Sequence, residues 1–372
     1  MRFLIIDTYY ASFLDSVYTK DRELSQNSYD HQWRILMDRC FGTADFYSSN
    51  LIRLGHEATE IVANCEPIQR QWAREHGLKV DERKWTLAKR GGLIPWPKRI
   101  RSPEWGDKIL TAQVQQYRPN VLYIQDMHAI SNAFLREVRP YVKLIAGQIA
   151  YPITRGMEFS EYDLILSSFP HFVEQFRRNG LKSEYFKLGF EPRLLSQIKN
   201  GTRHRVVFVG GLSTSHTDRA RLLECVTKSQ PLGIWGYGTE TLDQNSPLHK
   251  SHHGNAWALD MYNVLYNADI ALNNHIGIAE TYANNMRLFE ATGVGTLLVT
   301  DWKENLGELF EPGKEVVAYH TPEECIELID YYLRNDTERQ TIAQAGQQRT
   351  LREHTYFHRM QELVDIVRQH LR

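Results

Sequence analysis

The chain has 372 residues, 42% of them hydrophobic and 24% charged, with a formal net charge of −1. That length suggests two domains with room for real cores, and near-neutrality argues against a dedicated nucleic-acid binder, which would be basic over a whole face. Cys40, Cys65, Cys225 and Cys325 are far apart and form no CxxC pair, which fits a reducing, cytoplasmic compartment.

The opening MRFLIIDTYY carries one basic residue and too short an apolar run for a signal peptide, so it reads as a strand over 2–7. No stretch approaches the ~18 uninterrupted apolar residues of a membrane helix. Further strands are predicted over 57–63, 121–126, 143–150, 164–168 and 183–189, and then over 205–211, 232–238, 269–274, 295–301 and 315–320. Helical patterns separate these short runs, which points to parallel sheets with crossover helices. Ser102-Pro103-Glu104 and Thr321-Pro322-Glu323 both read as helix starts, with a capping hydroxyl, a proline in the first turn and an early acid. Two such series imply two doubly wound α/β domains. We expect an N-terminal domain over 1–195, a second over 196–353, and a C-terminal amphipathic helix over 354–372 packing back toward the first.

In open parallel sheets, ligands bind beyond the carboxyl ends of the strands. After VVFVG come Gly211, Ser213, His216 and Arg219. Gly210 and Gly211 admit a close backbone approach, and the polar side chains suit phosphate oxygens. The competing reading is an ordinary strand-to-helix turn. Gly236-Tyr237-Gly238 closes the next strand, but no GxGxxG follows. In NNMRLFEATGVGTLLVTD, Asn284 and Asn285 stand at a predicted helix N-terminus, where an anion gains from free amides. Arg287 adds a fork for phosphate. Glu290, one turn on, suits a ribose diol. The alternative for Arg287 and Glu290 is a surface i,i+3 ion pair.

NNMRLFEATGVGTLLVTD, LFEPGKEVVAYHTPEECIELIDYYL and AGQQRTLREHTY together resemble the C-terminal half of the spore-maturation-protein-type (CgeB-like) glycosyltransferases. The resemblance spans roughly 206–363. It implies a GT-B fold, with two Rossmann-like domains facing a central cleft and a nucleotide-sugar donor on the second. By that resemblance Glu290 contacts the nucleotide ribose, and Arg287 with the Asn284/Asn285 turn holds the diphosphate. Related retaining enzymes carry an acidic residue eight positions before the one matching Glu290, whereas this chain has Tyr282 there, with Glu280 the nearest carboxylate. The stereochemical outcome is therefore open. An inverting reaction needs a general base from the first domain, and Asp126 and His128, at a strand end, are the candidates, with Asp30 and His31 in reserve.

Metal chemistry has little support: there is no DxD, no HExxH, and His354 and His358 read as a helix-face pair. GT-B enzymes generally work without a bound metal, so no metal or other cofactor is expected beyond the donor as co-substrate. The basic, aromatic stretch KRGGLIPWPKRIRSPEW offers a contact to a peripheral membrane surface or an anionic acceptor, against the plainer reading of a solvated loop between helices. The Tyr-rich segment 8–31 suits sugar stacking. The expected activity is metal-independent transfer of a sugar from a nucleotide-diphosphate donor, such as a UDP-sugar, to a hydroxyl of a glycan or other acceptor. A catalytically idle nucleotide- or glycan-binding protein and a nucleotide-sugar epimerase are the alternatives.

Overall fold

A computed structural model describes residues 1–80, 83–90, 94–101, 105–212 and 217–371. Three sequence expectations fall outside them: the Ser102-Pro103-Glu104 helix start, and the site candidates Ser213 and His216. The chain divides into two compact units, one of Met1–Ile149 with Thr154–Ile165 and the last residues from His370, the other of Ala150–Ile153 and Leu166–Gln369.

The strands are β1 (Arg2–Asp7), β2 (Glu57–Val62), β3 (Arg83–Arg90), β4 (Ile94–Arg101), β5 (Val121–Ile124), β6 (Leu144–Gln148), β7 (Leu164–Ser167), β8 (Ser183–Tyr185), β9 (His204–Val209), β10 (Leu232–Trp235), β11 (Ala268–Leu272), β12 (Leu297–Asp301) and β13 (Val317–Tyr319). One sheet has the order β2-β1-β5-β6-β7-β8, and another the order β10-β9-β11-β12-β13. In the first, β1 pairs in parallel with both β2 and β5, and β5 with β6. All pairs of the second are parallel. Residues Phe3 to Ile6 of β1 and Leu297 to Val299 of β12 are buried at every position. That is the mark of strands covered on both faces, and it explains why they read as unbroken apolar runs.

Each sheet starts one strand in from an edge and adds its second strand on that edge and its third on the other side. The order therefore reverses between β1 and β5, and again between β9 and β11. A crevice opens at such a switch point, because the flanking connections leave in opposite directions, and ligands of open α/β sheets bind there.

The predicted strands are all present, most of them shorter than expected at the C-terminal end. Residues expected to close β5 and β11, such as Asp126 and Asn274, lie instead in the turns that follow. Of the basic, aromatic stretch 89–105, residues 94–101 are a correction: they form strand β4, paired antiparallel with β3, rather than a loop, while 91–93 and 102–104 lie outside the described residues. The Tyr-rich segment 8–31 holds the helix Ala11–Lys20; it buries Tyr9 against Phe13 and Phe41 and leaves Tyr10 exposed. The predicted cap at Thr321 forms, its hydroxyl accepting from the Glu324 amide at 3.2 Å. His354 lies between the helices Asp336–Glu353 and Tyr356–His370, so it shares no helix face with His358. Its Nε2 meets the Leu309 carbonyl at 2.8 Å.

Candidate active site

In the second unit the switch point is built from the turns after β9 and β11. Gly210 and Gly236 pass so closely that a Cβ on Gly236 would run into the Gly210 carbonyl oxygen, and Gly236 holds a φ of +148°. A Cβ on Gly211 would meet the Tyr237 ring at 2.9 Å. These glycines therefore serve the packing of two strand ends. Gly236→Ala combines a backbone clash with positive φ and should cost ~3 kcal/mol or more, a fall in melting temperature of roughly 6–12 °C for a unit of this size. A melt followed by circular dichroism that matches wild type would contradict that packing.

Arg219, from the helix Thr217–Ser229, is only 8% exposed. Its Nη1 donates to the Gly211 carbonyl at 2.8 Å and its Nη2 to the Asn274 carbonyl at 2.7 Å. It thus ties the two turns of the switch point together, and burial pushes its guanidinium down to about 10. It remains charged at neutral pH and sets a positive potential beneath the crevice.

The helix Arg287–Gly293 follows the β11 turn. Its first residue lays its guanidinium under β9: Nε donates to the Val209 carbonyl at 3.2 Å, and Nη1 to Glu290 Oε2 at 2.7 Å. Nη2 makes no hydrogen bond among the described residues. Glu290 is 4% exposed and also accepts from the Tyr262 hydroxyl at 3.3 Å. The i,i+3 pair anticipated as an alternative therefore exists, but it is buried rather than a surface pair. Asn285 Oδ1 accepts from the Leu288 amide at 3.3 Å, capping the helix, and its Nδ2 reaches Asn273 Oδ1 at 2.8 Å. Asn284, also buried, donates to the Ser168 hydroxyl at 3.2 Å. Tyr237 is 43% exposed and stacks beside Trp257, with ring centroids 6.1 Å apart. Tyr282 lies parallel to the His171 ring at 5.6 Å.

A buried network beneath these residues was not anticipated from the sequence. His275 Nδ1 meets Asp301 Oδ1 at 2.7 Å, and Lys303 lies 3.4 Å from Asp301 Oδ2. Burial alone would raise the Asp301 carboxyl, but the His275 bonds and the Lys303 charge outweigh it and hold the group below its usual range. Asn273 bonds Thr300 at 2.9 Å, and the Tyr319 hydroxyl donates to the Asn273 carbonyl at 2.9 Å. The available signal was position, since each of these residues closes or follows a strand.

In the first unit the switch point joins the ends of β1 and β5. The Thr8 hydroxyl donates to Asp126 Oδ2, and the Thr8 amide to Asp7 Oδ1 at 2.8 Å. One threonine thus bridges two carboxylates. Desolvation, opposed by the Thr8 amide and reinforced by the charge of Asp126, pushes the Asp7 carboxyl up to about 7. Asp126 Oδ1 accepts from the His128 amide at 3.1 Å, and the His128 side chain is exposed. Asp30 and His31 stand apart from this group, exposed in the first turn of the helix Tyr29–Asp38. Asp7 is the residue the sequence reading passed over.

Residues 217–365 match the family described as glycosyl transferase-like. No protein of curated function matches the sequence significantly. Among solved structures, sucrose-phosphate synthase from Thermosynechococcus elongatus aligns over 99% of this chain and 98% of its own, with TM-score 0.58 at 10% identity. The Anabaena protein Alr3699/HepE in complex with UDP-glucose aligns over 99% and 100%, with TM-score 0.58 at 11% identity. The pneumococcal O-GlcNAc transferase GtfA, in complex with UDP and GlcNAc, aligns over 100% and 99%, with TM-score 0.56 at 10% identity. The chain has the α/β GT-B fold of glycosyltransferases, with two Rossmann-like sheets, and carries a glycosyl transferase-like sequence pattern over residues 217–365.

Proposed function

We propose that this protein is a glycosyltransferase, of the CgeB-like group, that moves a sugar from a nucleoside-diphosphate donor to a hydroxyl of a glycan or similar acceptor without a bound metal. The carrying observation is the Arg287–Glu290 pair buried at the second unit's switch point, with Arg287 Nη2 uncommitted among the described residues. A guanidinium anchored on two sides and open on the third is pre-organised for phosphate oxygens, because little side-chain freedom is lost on binding. Arg219 adds a second positive charge, and Glu290 keeps lone pairs for ribose hydroxyls. Gly210, Gly211 and Gly236, by packing the two strand ends together, set the floor of the donor site, Asn284 and Asn285 shape the diphosphate turn, and the exposed Tyr237 ring is a surface for the base. Cations and oriented donors stabilise a leaving diphosphate in place of a metal.

On the first unit, the Asp7–Thr8–Asp126 group with His128 supplies the base that an inverting transfer requires. The UDP-bound neighbours favour UDP as the nucleotide of the donor. A second reading, an idle nucleotide-binding protein, is favoured by the aromatic Tyr282 standing where related retaining enzymes have an acid. A membrane contact at the β3–β4 hairpin remains a proposal; no helix among the described residues is long and apolar enough to cross a membrane.

A thermal-shift panel of UDP, GDP, dTDP and CMP tests donor binding. At about a hundredfold excess over the dissociation constant a true ligand adds ~2.7 kcal/mol of stability, so one diphosphate should raise the melting temperature by several degrees. A flat panel would contradict the reading.

A further inference from the structure

The proposed reaction makes no use of the β3–β4 pair of the first unit. Arg83–Arg90 and Ile94–Arg101 carry seven basic residues and no acidic one. The whole chain is at −1, so everything outside these two strands carries −8. Among the described residues the pair forms a sheet of its own and joins neither larger sheet. A lone two-stranded sheet is marginal in water. This one also sets Arg83 directly opposite Arg101, a like-charge pairing that costs stability. An anionic partner would relieve both.

The register narrows the partner. Trp85 and Leu87 of β3 share one face with Arg99 and Arg101 of β4. Lys84 and Arg90 share the other with Ile94, Trp96, Lys98 and Ile100. Each face thus combines a tryptophan, aliphatic residues and several cations. Addition of a protein strand is disfavoured, because proline sits in a strand where its missing N–H faces away from the partner. Pro95 and Pro97 therefore strip donors from the outer edge of β4. A nucleic acid would take the cations and stack on the tryptophans, but it would leave Leu87, Ile94 and Ile100 in water. A bilayer interface has a place for all three kinds of residue: headgroup charge for the cations, the interfacial belt for tryptophan, and the acyl boundary for the aliphatics.

We propose that the β3–β4 pair docks the first unit on an anionic lipid surface, with its basic residues at the headgroup phosphates and carboxylates and Trp85 and Trp96 at the boundary with the acyl chains. This names the lipid class for the membrane contact raised above, and it holds whether or not the chain transfers a sugar. Charge and apolar contact act together, since either alone gives only weak, reversible attachment.

Co-sedimentation of the full chain with vesicles tests it, using phosphatidylcholine alone and phosphatidylcholine mixed with phosphatidylserine. The mixed vesicles should carry the protein down and the neutral ones should not. Raising the salt to ~1 M, where charges are screened beyond about 3 Å, should release most of it. Arg99→Gln with Arg101→Gln should weaken partitioning roughly thirtyfold, the effect of removing two interfacial cations. Trp85→Ala with Trp96→Ala should weaken it at unchanged charge. Both double variants should keep the wild-type melting temperature and its rise with the stabilising nucleotide, because β3 and β4 pair with neither large sheet. Lost partitioning then cannot be ascribed to misfolding, and failure here leaves donor binding standing. Fluorescence anisotropy with labelled duplex DNA and single-stranded RNA at the same salt covers the nucleic-acid alternative. No sedimentation with either vesicle, equal sedimentation with both, wild-type partitioning of both double variants, or tighter binding to an oligonucleotide than to the mixed vesicles would each overturn the proposal.

Discussion

Asp126→Asn should slow sugar transfer by roughly 10²–10⁴-fold, the usual contribution of a general base, while leaving nucleotide affinity nearly unchanged. The structure places a rival beside it. Asp7 ends the neighbouring strand, is bridged to Asp126 by Thr8, and has its carboxyl pushed up to about 7 by burial and by the Asp126 charge. A base poised near the working pH is well matched to proton abstraction. The two assignments separate by pH. If Asp7 takes the proton, the wild-type rate climbs through about pH 7 as that group ionises, and Asp7→Asn loses both rate and inflection. If Asp126 or His128 acts, Asp7→Asn shifts the profile without abolishing transfer. Stability supplies an independent check. The folded chain keeps the Asp7 proton up to about 7, against an ordinary value of 3.8. It therefore binds more protons than the unfolded chain between those limits, and stability falls as pH rises through that window, by a few kcal/mol at most. Asp7→Asn should flatten that slope in urea titrations from pH 4 to 8. Should variants at Asp7, Asp126 and His128 all transfer at near wild-type rates, the base lies elsewhere or the reaction is retaining. NMR of the product's anomeric configuration decides between those.

Arg287→Ala carries the second large effect. Loss of charge-assisted hydrogen bonds to a diphosphate should weaken nucleotide binding by ~1.5–3 kcal/mol. The structure adds a cost that the sequence did not suggest, because Glu290 would be left buried with, among the described residues, only the Tyr262 hydroxyl. Breaking a buried pair on one side is typically worth 3–5 kcal/mol of stability. Arg287→Ala should therefore melt lower as well as bind worse. The double variant Arg287→Met with Glu290→Gln removes both charges together. It should recover most of the stability and none of the affinity, measured by melting and by calorimetry with the best nucleotide. Recovery of affinity would show that Arg287 holds the helix rather than the ligand. Glu290→Gln alone should narrow the preference for ribose over 2′-deoxyribose nucleotides.

Strand positions were legible in the sequence because buried parallel strands are apolar throughout, and LIID, VLYI and LLVT stand out from the amphipathic helices between them. The pairing of β3 with β4 was not, since Arg83–Arg90 and Ile94–Arg101 together carry seven basic residues and two prolines, and a charged stretch reads as solvated whatever its backbone does. Arg287 and Glu290 were visible as a spacing, yet spacing alone could not tell a surface pair from a buried one. That distinction came from Val209, Met261 and Tyr262, which are remote in sequence and packed around it. Asp7 was hidden differently. An acid closing a strand is common, and its raised carboxyl depends on a neighbour at position 126 that only the sheet order supplies. The same holds for His275 and Asp301, which meet because β11 and β12 are adjacent.

The central claim is that a sugar leaves a nucleoside diphosphate held by the second unit. It is tested most directly by incubating the protein with the sugar conjugates of whichever nucleotide stabilises it, without acceptor, and following the mixture by NMR. Transferases leak donor to water, so the account predicts slow release of free nucleoside diphosphate and free sugar, abolished in the Arg287→Met, Glu290→Gln double variant. A donor that stays intact, or a sugar that is epimerised while still attached to its nucleotide, would contradict it.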